Sequence, residues 1–146
     1  IDGLLTEASN NFVNKKSSLE KELIFIKKHF SEDNIIKIFN SLKKDNSEWA
    51  QDTLKVLMKK SPTSMGVVIK QLSIAETLDL KECLSMEFRI CQSMMAKHDF
   101  YEGVRANLVD KDRNPKWEPR DVSELEENII NEHFDALGDK ELLKFE

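Results

Sequence analysis

The side chains best placed to do chemistry together lie in one stretch, HDFYEGVRANLVDKDRNPKW, His98 to Trp117. Its turn KDRNPKW gathers Lys111, Arg113 and Lys116 just after a helix. That is a grip for phosphate, with lysine supplying point charges and arginine a planar fork of donors. Asp110 and Asp112 dilute the charge. Asp99 and Glu102 stand three residues apart, the spacing of a capping box, in which the first side chain accepts from the opening amides of a helix and the second reaches back. Both carboxylates then have a structural task rather than a catalytic one.

Little else in the chain could carry a reaction. His29, His98 and His133 fall in different predicted helices or at their ends. The pairs His29/Asp33 and His98/Glu102 have the i,i+4 spacing that could hold a cation, but hydrogen bonding near helix ends is the simpler expectation. Glu126 with Glu127, and Glu20 with Glu22, fall on solvated helix faces where general acid/base work gains no pKa shift. No dinucleotide-binding GxGxxG, no P-loop and no GxSxG elbow occurs. With only four glycines, an amide cradle for an oxyanion or a phosphate is hard to build. Cys83 and Cys91, eight apart in a helical pattern, read as small buried apolar residues of a reducing compartment such as cytosol or mitochondrial matrix. Neither a metal site nor a catalytic residue is expected.

The elements that must position the basic turn are helical. The chain has 146 residues, 40% hydrophobic and 34% charged, enough for one domain with a real core. Its net charge of -5, from 22 basic and 27 acidic residues, leaves no overall basic footprint, so nucleic acid is not an expected partner. No apolar run approaches the roughly 18 residues that span a bilayer, and IDGLLTEASN lacks the pattern of a secretion signal, so no membrane partner is expected. A start at Ile1 rather than Met, with few landmarks before residue 19, is expected of a segment cut from something longer.

Apolar residues recur at three- and four-residue spacing almost throughout. The first helix carries Leu19, Leu23, Ile26 and Phe30; Ser31 or Asp33 would cap the second, which carries Ile35, Ile38, Phe39 and Leu42. Ser47 caps a third stripe, Trp49, Ala50, Leu54 and Leu57, closed by Lys59 and Lys60. Ser61 and Pro62 open a helix expected to face Met65, Val68, Ile69 and Leu72 inward, with Gly66 marking close packing. The longest helix is expected from about Asp79 to Lys97, capped by Thr77 or Asp79, burying Leu80, Leu84, Cys91, Met94 and Met95. The last repeats the capping box at Ser123 and Glu126, buries Leu125, Ile129, Ile130, Phe134 and Leu137, and ends at Gly138. The fold class expected is all-α, a compact bundle of about six or seven helices.

A resemblance adds to this. MEFRICQSMMAKHDFYEGVRANLVDKDRNPKW, Met86 to Trp117, with LKVLMKKSPTSM, Leu54 to Met65, closely resembles the C-terminal part of the 3-hydroxyisobutyryl-CoA hydrolase family, within the crotonase (enoyl-CoA hydratase) superfamily. The tail NEHFDALGDKELLKF, Asn131 to Phe145, is similar to that family's ending. Asp99, Glu102-Gly103, Ala106 and the KDRNP turn follow the D-x-x-E-G-x-x-A-F-x-E-K-R-x-P pattern of crotonases generally, while Asn107 departs from it where an apolar residue is usual.

The resemblance implies that residues 1–146 form a single C-terminal helical region lying outside an N-terminal crotonase core. The catalytic carboxylates and oxyanion amides would belong to that core, so no residue here inherits a catalytic role. It implies hydrolysis of the thioester of 3-hydroxyisobutyryl-CoA in valine catabolism, in the mitochondrial matrix, with no cofactor because coenzyme A is part of the substrate. Lys111 and Arg113, ahead of Lys116, are the residues expected to touch CoA phosphates. Two other readings stay open: a non-catalytic assembly subunit of the same lineage, and a hydratase or isomerase. Apolar surface left uncovered by such helices leads to an expectation of self-association.

Overall fold

Four of the helices begin where a short polar side chain takes up amides that the first turn leaves unbonded. Asn34 accepts from Ile36 N at 2.9 Å and Lys37 N at 3.3 Å. Ser47 accepts from Ala50 N, Ser61 from Ser64 N, and Asp79 with Glu82 forms a reciprocal capping box. The expected cap of the second helix, Ser31 or Asp33, is therefore corrected to Asn34, the last extended residue before the helix; Asp33 instead lies 3.9 Å from the Lys37 ammonium. Asp79, not Thr77, opens the longest helix, and the Thr77 hydroxyl donates back to Ile74 O.

The computed structural model describes residue 17 and residues 19 to 138; the opening IDGLLTEASN and the end of the family-like tail lie outside them. Seven α-helices appear among the described residues: α1 Leu19–His29, α2 Ile35–Lys44, α3 Glu48–Leu57, α4 Pro62–Ala75, α5 Leu80–Met95, α6 His98–Val104 and α7 Glu127–Asn131. A π-helical turn, Arg105–Val109, continues α6, and 3-10 turns at Val122–Glu124 and Glu132–Phe134 flank α7. No strand occurs among the described residues. Two units divide the chain, one ending at Ser31 and the other beginning at Glu32. In the first, α1 carries the buried His29, while Leu19 and Leu23 of its expected apolar stripe are exposed.

In the second unit, α2 packs on α3 and buries Ile35, Ile38, Phe39 and Leu42 opposite Ala50 and Leu54, as the stripes predict. Fully burying side chains such as Ile38 and Leu42 contributes about 1.5–3 kcal/mol each. A second cluster joins Val67 of α4 to Met86 and Ile90 of α5, with Ile74, Met94, Ile130 and Phe134 packed against it.

These two long helices are rotated from the expected orientation. Thr63, Gly66 and Val67 face inward on α4 while Val68 and Leu72 are 50% and 62% exposed. Met86 and Ile90 face inward on α5 while Leu80, Leu84, Cys91 and Met95 are exposed. Both helices are apolar on more than one side, so periodicity alone does not choose the buried face.

Gly66 explains the choice on α4. A Cβ there would lie 2.7 Å from Ile130 Cδ1 and 2.9 Å from Leu125 Cδ2, so α7 and the turn before it approach the helix over a missing side chain. The Lys70 ammonium closes the same interface, bonded to the Asn131 amide oxygen and 5.0 Å from the centre of the Phe134 ring. The single last helix expected from Ser123 is corrected to three short pieces. Asp121, not Ser123, accepts the opening amide and hydroxyl, and Glu126 precedes α7 without capping it. Leu125 is buried, and Gly138 adopts the expected left-handed φ of 60°.

Gly66→Val should destabilise the chain by about 1–3 kcal/mol through overpacking. Gly66→Ala should be near neutral, because the tip of Ile130 can swing aside and helix propensity rises by about 1 kcal/mol. Urea unfolding of the two variants checks the pair; equal stability would refute the close approach.

Candidate functional site

The centre of the His98–Trp117 stretch is a guanidinium. Arg105, at the junction of α6 and the π-helical turn, donates from Nε to Glu102 Oε2 at 2.8 Å and from its NH2 nitrogen to Glu102 Oε1 at 2.8 Å, a two-point fork. Its NH1 nitrogen donates to Asp110 at 2.6 Å and Asp112 at 2.7 Å. The π-helical turn makes this reach available: Asp110 N bonds Arg105 O at 2.8 Å, an i→i+5 closure that brings the following loop back past Arg105. Arg105 was absent from the sequence-based candidates. Its i,i+3 spacing from Glu102 on a helix was the signal available.

Asp99 and Glu102 do not form the expected capping box. Lys97 occupies the cap of α6 with no side-chain bond, and both carboxylates turn inward and are buried. Glu102 Oε1 accepts from the backbone N of Lys116 at 2.6 Å, while His98 Nε2 lies 2.9 Å from the carbonyl of the same residue. The His98/Glu102 pair thus clamps both backbone polar groups of Lys116 and leaves no cation site. Asp99 accepts from Glu118 N at 2.9 Å and from the Ser61 hydroxyl at 2.5 Å, tying the strap of residues 116–118 to the start of α4. Trp117 Nε1 donates to Lys59 O at 3.1 Å, and its ring edge would stand 3.3 Å from a Cβ on Gly103.

Electrostatics follow this geometry. Hydrogen bonds from Arg105, then from the Lys116 amide, hold the Glu102 carboxyl down at about 2. Arg105 is pushed above its already high range by Glu102, Asp112 and Asp110. Asp112 is lowered by Arg105 and by the Asn114 amide. The Lys116 carbonyl raises His98. Asp110 and Asp112 both bond Arg105, whose one positive charge is shared among three carboxylates.

Lys111 and Arg113 both sit at positive φ, 56° and 54°, in the left-handed region that side-chain-bearing residues rarely occupy. The Asp112 bonds to Arg105 and to Asn114 N at 2.8 Å, with Arg113 N bonded to Ala106 O at 3.0 Å, hold the loop there. Arg113 and Lys116 line an open cleft of about 710 Å³ together with Lys59, Trp117 and Arg120. Lys111 lies outside it. Lys59, Trp117 and Arg120 were not among the site residues expected from sequence: Lys59 comes from a distant segment at the end of α3, while Trp117 and Arg120 lie just beyond the basic turn. Asn107, the departure from the crotonase pattern, is exposed and its amide donates to Gly103 O at 2.9 Å, so it is not a packing position.

Among the described residues no group of three or more His, Cys, Asp or Glu is placed to hold a metal, and no helix is long and apolar enough to cross a membrane. Cys83 and Cys91 are free thiols, and Cys91 is exposed rather than buried.

Residues 1–134 match the family described as enoyl-CoA hydratase/isomerase. Mitochondrial 3-hydroxyisobutyryl-CoA hydrolase of Homo sapiens is 42% identical over 128 residues, covering 88% of this chain and 33% of that protein. Its counterpart in Dictyostelium discoideum is 40% identical over 147 residues, covering 99% and 39%. The chain thus spans 33% and 39% of the length of these two curated relatives. A carnitinyl-CoA dehydratase from Mycobacterium thermoresistibile is similar in structure with a TM-score of 0.79 and 25% identity, over 86% of this chain and 36% of that one. An enoyl-CoA hydratase from Rhodobacter sphaeroides 2.4.1 shares the fold with a TM-score of 0.80 at 22% identity, over 94% and 42%.

The Glu102 clamp should leave an acid signature. Its carboxyl is lowered from 4.5 to about 2, so the stability it contributes is whole above about pH 4.5 and is lost as pH falls toward 2. His98 is raised and acts oppositely: its contribution is whole below about pH 6.5 and fades as pH rises past its folded-state value. Urea midpoints measured across pH should show a flattened acid limb in Glu102→Gln and a flattened limb above neutrality in His98→Gln. An unchanged acid limb in Glu102→Gln would count against the clamp.

Proposed function

The chain belongs to the enoyl-CoA hydratase/isomerase family, and we propose that its residues serve an acyl-CoA thioester hydrolase whose substrate is 3-hydroxyisobutyryl-CoA. The observation that carries this is the 42% identity over 88% of the chain to a protein of that name. In this reading water cleaves the C–S bond of the thioester, releasing the free hydroxy acid and CoA as a thiol. A carboxylate attacks the carbonyl or activates water, and backbone amides stabilise the oxyanion. Those groups lie outside this chain, so residues 1–146 alone should show no turnover. The reaction needs no cofactor because CoA is part of the substrate. A place in valine catabolism, in the mitochondrial matrix, accompanies the reading, supported by relatives named mitochondrial.

The contribution proposed for this chain is to hold the CoA end. Lys111, Arg113 and Lys116 are the residues proposed to meet its phosphates, with Arg113 and Lys116 supported by their place in the cleft. Lys111 stands apart and would act at longer range. A hydratase or isomerase is the second reading, favoured by likeness to a dehydratase of known structure; it predicts water added to or removed from a double bond with no free thiol released. Exposed Val68, Leu72, Leu80 and Leu84 support self-association of the chain.

Free CoA released from 3-hydroxyisobutyryl-CoA by the whole protein that carries these residues tests the reading. Arg113→Gln and Lys116→Gln should each raise KM roughly three- to tenfold with kcat unchanged, the mark of lost uniform binding. Hydration without thiol release would establish the second reading instead. Measurable hydrolysis by residues 1–146 alone would overturn the assignment of catalysis outside them, and sedimentation as a monomer over a wide concentration range would refute self-association.

A further inference from the structure

The strap of residues 116–118 is held at both of its ends. Lys116 is bonded through its N–H to Glu102 and through its carbonyl to His98. Glu118 donates its N–H to Asp99 at 2.9 Å, and its carbonyl accepts from the Thr63 hydroxyl at 3.5 Å. The two anchors differ in what they hold on to. Glu102 and His98 both belong to α6, so the first anchor moves with that helix. The second reaches the first turn of α4 through a relay: Ser64 N donates to Ser61 Oγ at 3.0 Å, and Ser61 Oγ donates to Asp99 Oδ2 at 2.5 Å. Among the described residues it is this anchor that ties the strap's backbone to a segment other than α6.

Asp99 is an expensive side chain for that position. It is 8% exposed and makes no ion pair among the described residues, unlike Glu102 with its guanidinium. Both of its bonds come from neutral donors, a hydroxyl and an amide. A neutral acceptor would take such bonds at a smaller desolvation cost. What the charge adds is stiffness, because bonds to an ionised acceptor are shorter and stronger than neutral ones. One carboxylate thereby joins Ser61 to Glu118 across the interior. Immediately before Glu118 stand Lys116 and Trp117, whose side chains line the cleft beside Arg113. A shift of the second anchor therefore displaces a cation in the cleft wall, and the attraction of a lysine ammonium for an anion falls with their separation.

We infer that Asp99 is a positioning residue for ligand binding: together with Ser61 it sets the strap on α4 and so places Lys116 in the cleft, without touching the ligand itself. This rests on the role proposed above for Lys116 in holding the CoA end, and adds the buried pair that determines how well the role is filled. The effect of Asp99 then falls on affinity and not on the chemical step. It also passes through Lys116 rather than adding to it.

A double-mutant cycle of Asp99→Ala and Lys116→Gln in the whole protein that carries these residues tests this, with the affinity for CoA measured by calorimetric titration beside turnover of 3-hydroxyisobutyryl-CoA. Asp99→Ala should weaken CoA binding roughly three- to tenfold with kcat unchanged. The double variant should bind within about twofold of Lys116→Gln alone, because the two losses share one cause. Ser61→Gly keeps the start of α4 nearly as well capped and should reproduce the loss seen in Asp99→Ala; it carries the same cycle if Asp99→Ala does not fold. Asp99→Asn can still accept from Glu118 N and can donate to Ser61 Oγ, so it should restore affinity to within about twofold of the unsubstituted protein. Additive losses in the cycle, a fall in kcat, or CoA affinity unmoved by both Asp99→Ala and Ser61→Gly would each overturn the inference. A whole protein that releases no CoA from the ester, yet binds CoA with the non-additive cycle, would overturn the hydrolase reading and leave the role of Asp99 standing.

Discussion

The fork between Arg105 and Glu102 is the interaction on which the rest of the site depends. Glu102 is a buried carboxylate, and burying a carboxylate is unfavourable unless its oxygens are bonded. Arg105 takes both of them, and the Lys116 amide shares one. That single acceptor connects a helix, a π-helical turn and an extended strap. With the strap held, Trp117 reaches Lys59 and Glu118 reaches Asp99, so the cleft's walls are set by one charge-assisted network.

The same network sorts the charges. Aspartates and basic residues alternate between Asp110 and Arg113 and would largely offset one another in an extended chain. Folding sends Asp110 and Asp112 to Arg105 and leaves Arg113 and Lys116 facing the cleft. Left-handed backbone at Lys111 and Arg113 is part of that sorting, since it turns successive side chains to different sides of the loop. Conformations that cost roughly 1–2 kcal/mol persist where surrounding bonds over-determine them, and they concentrate at binding sites.

The core has a different logic. Close approach at Gly66 orients α4, and the buried faces of α4 and α5 are those that meet α7 and the Glu132–Phe134 turn. The large apolar side chains left outward on both helices are exposed among the described residues. That is consistent with a helical portion matching about a third of the human relative's length.

What the sequence determined alone was much of what neighbours within a turn of helix carry: the all-helical class, the starts at Ser47 and Ser61-Pro62, Asp79 as one of two candidate starts beside Thr77, the α2 stripe, and Gly66 as a point of close packing, whereas for the caps at Asn34 and Asp121 spacing points to neighbouring residues. Its ordered blocks also indicated the family. Asp99-x-x-Glu102 marks the limit, because the same spacing serves a capping box or a pair of carboxylates turned away from their own helix. Which one forms depends on a strap fourteen residues beyond Glu102, whose return is decided by loop closure and by a guanidinium that satisfies both oxygens. The faces of α4 and α5, and the meeting of Lys59, Trp117 and Arg120, belong to the tertiary structure for the same reason. Local hydrogen bonds are written in spacing, whereas contacts between distant segments exist only once the chain has closed on itself.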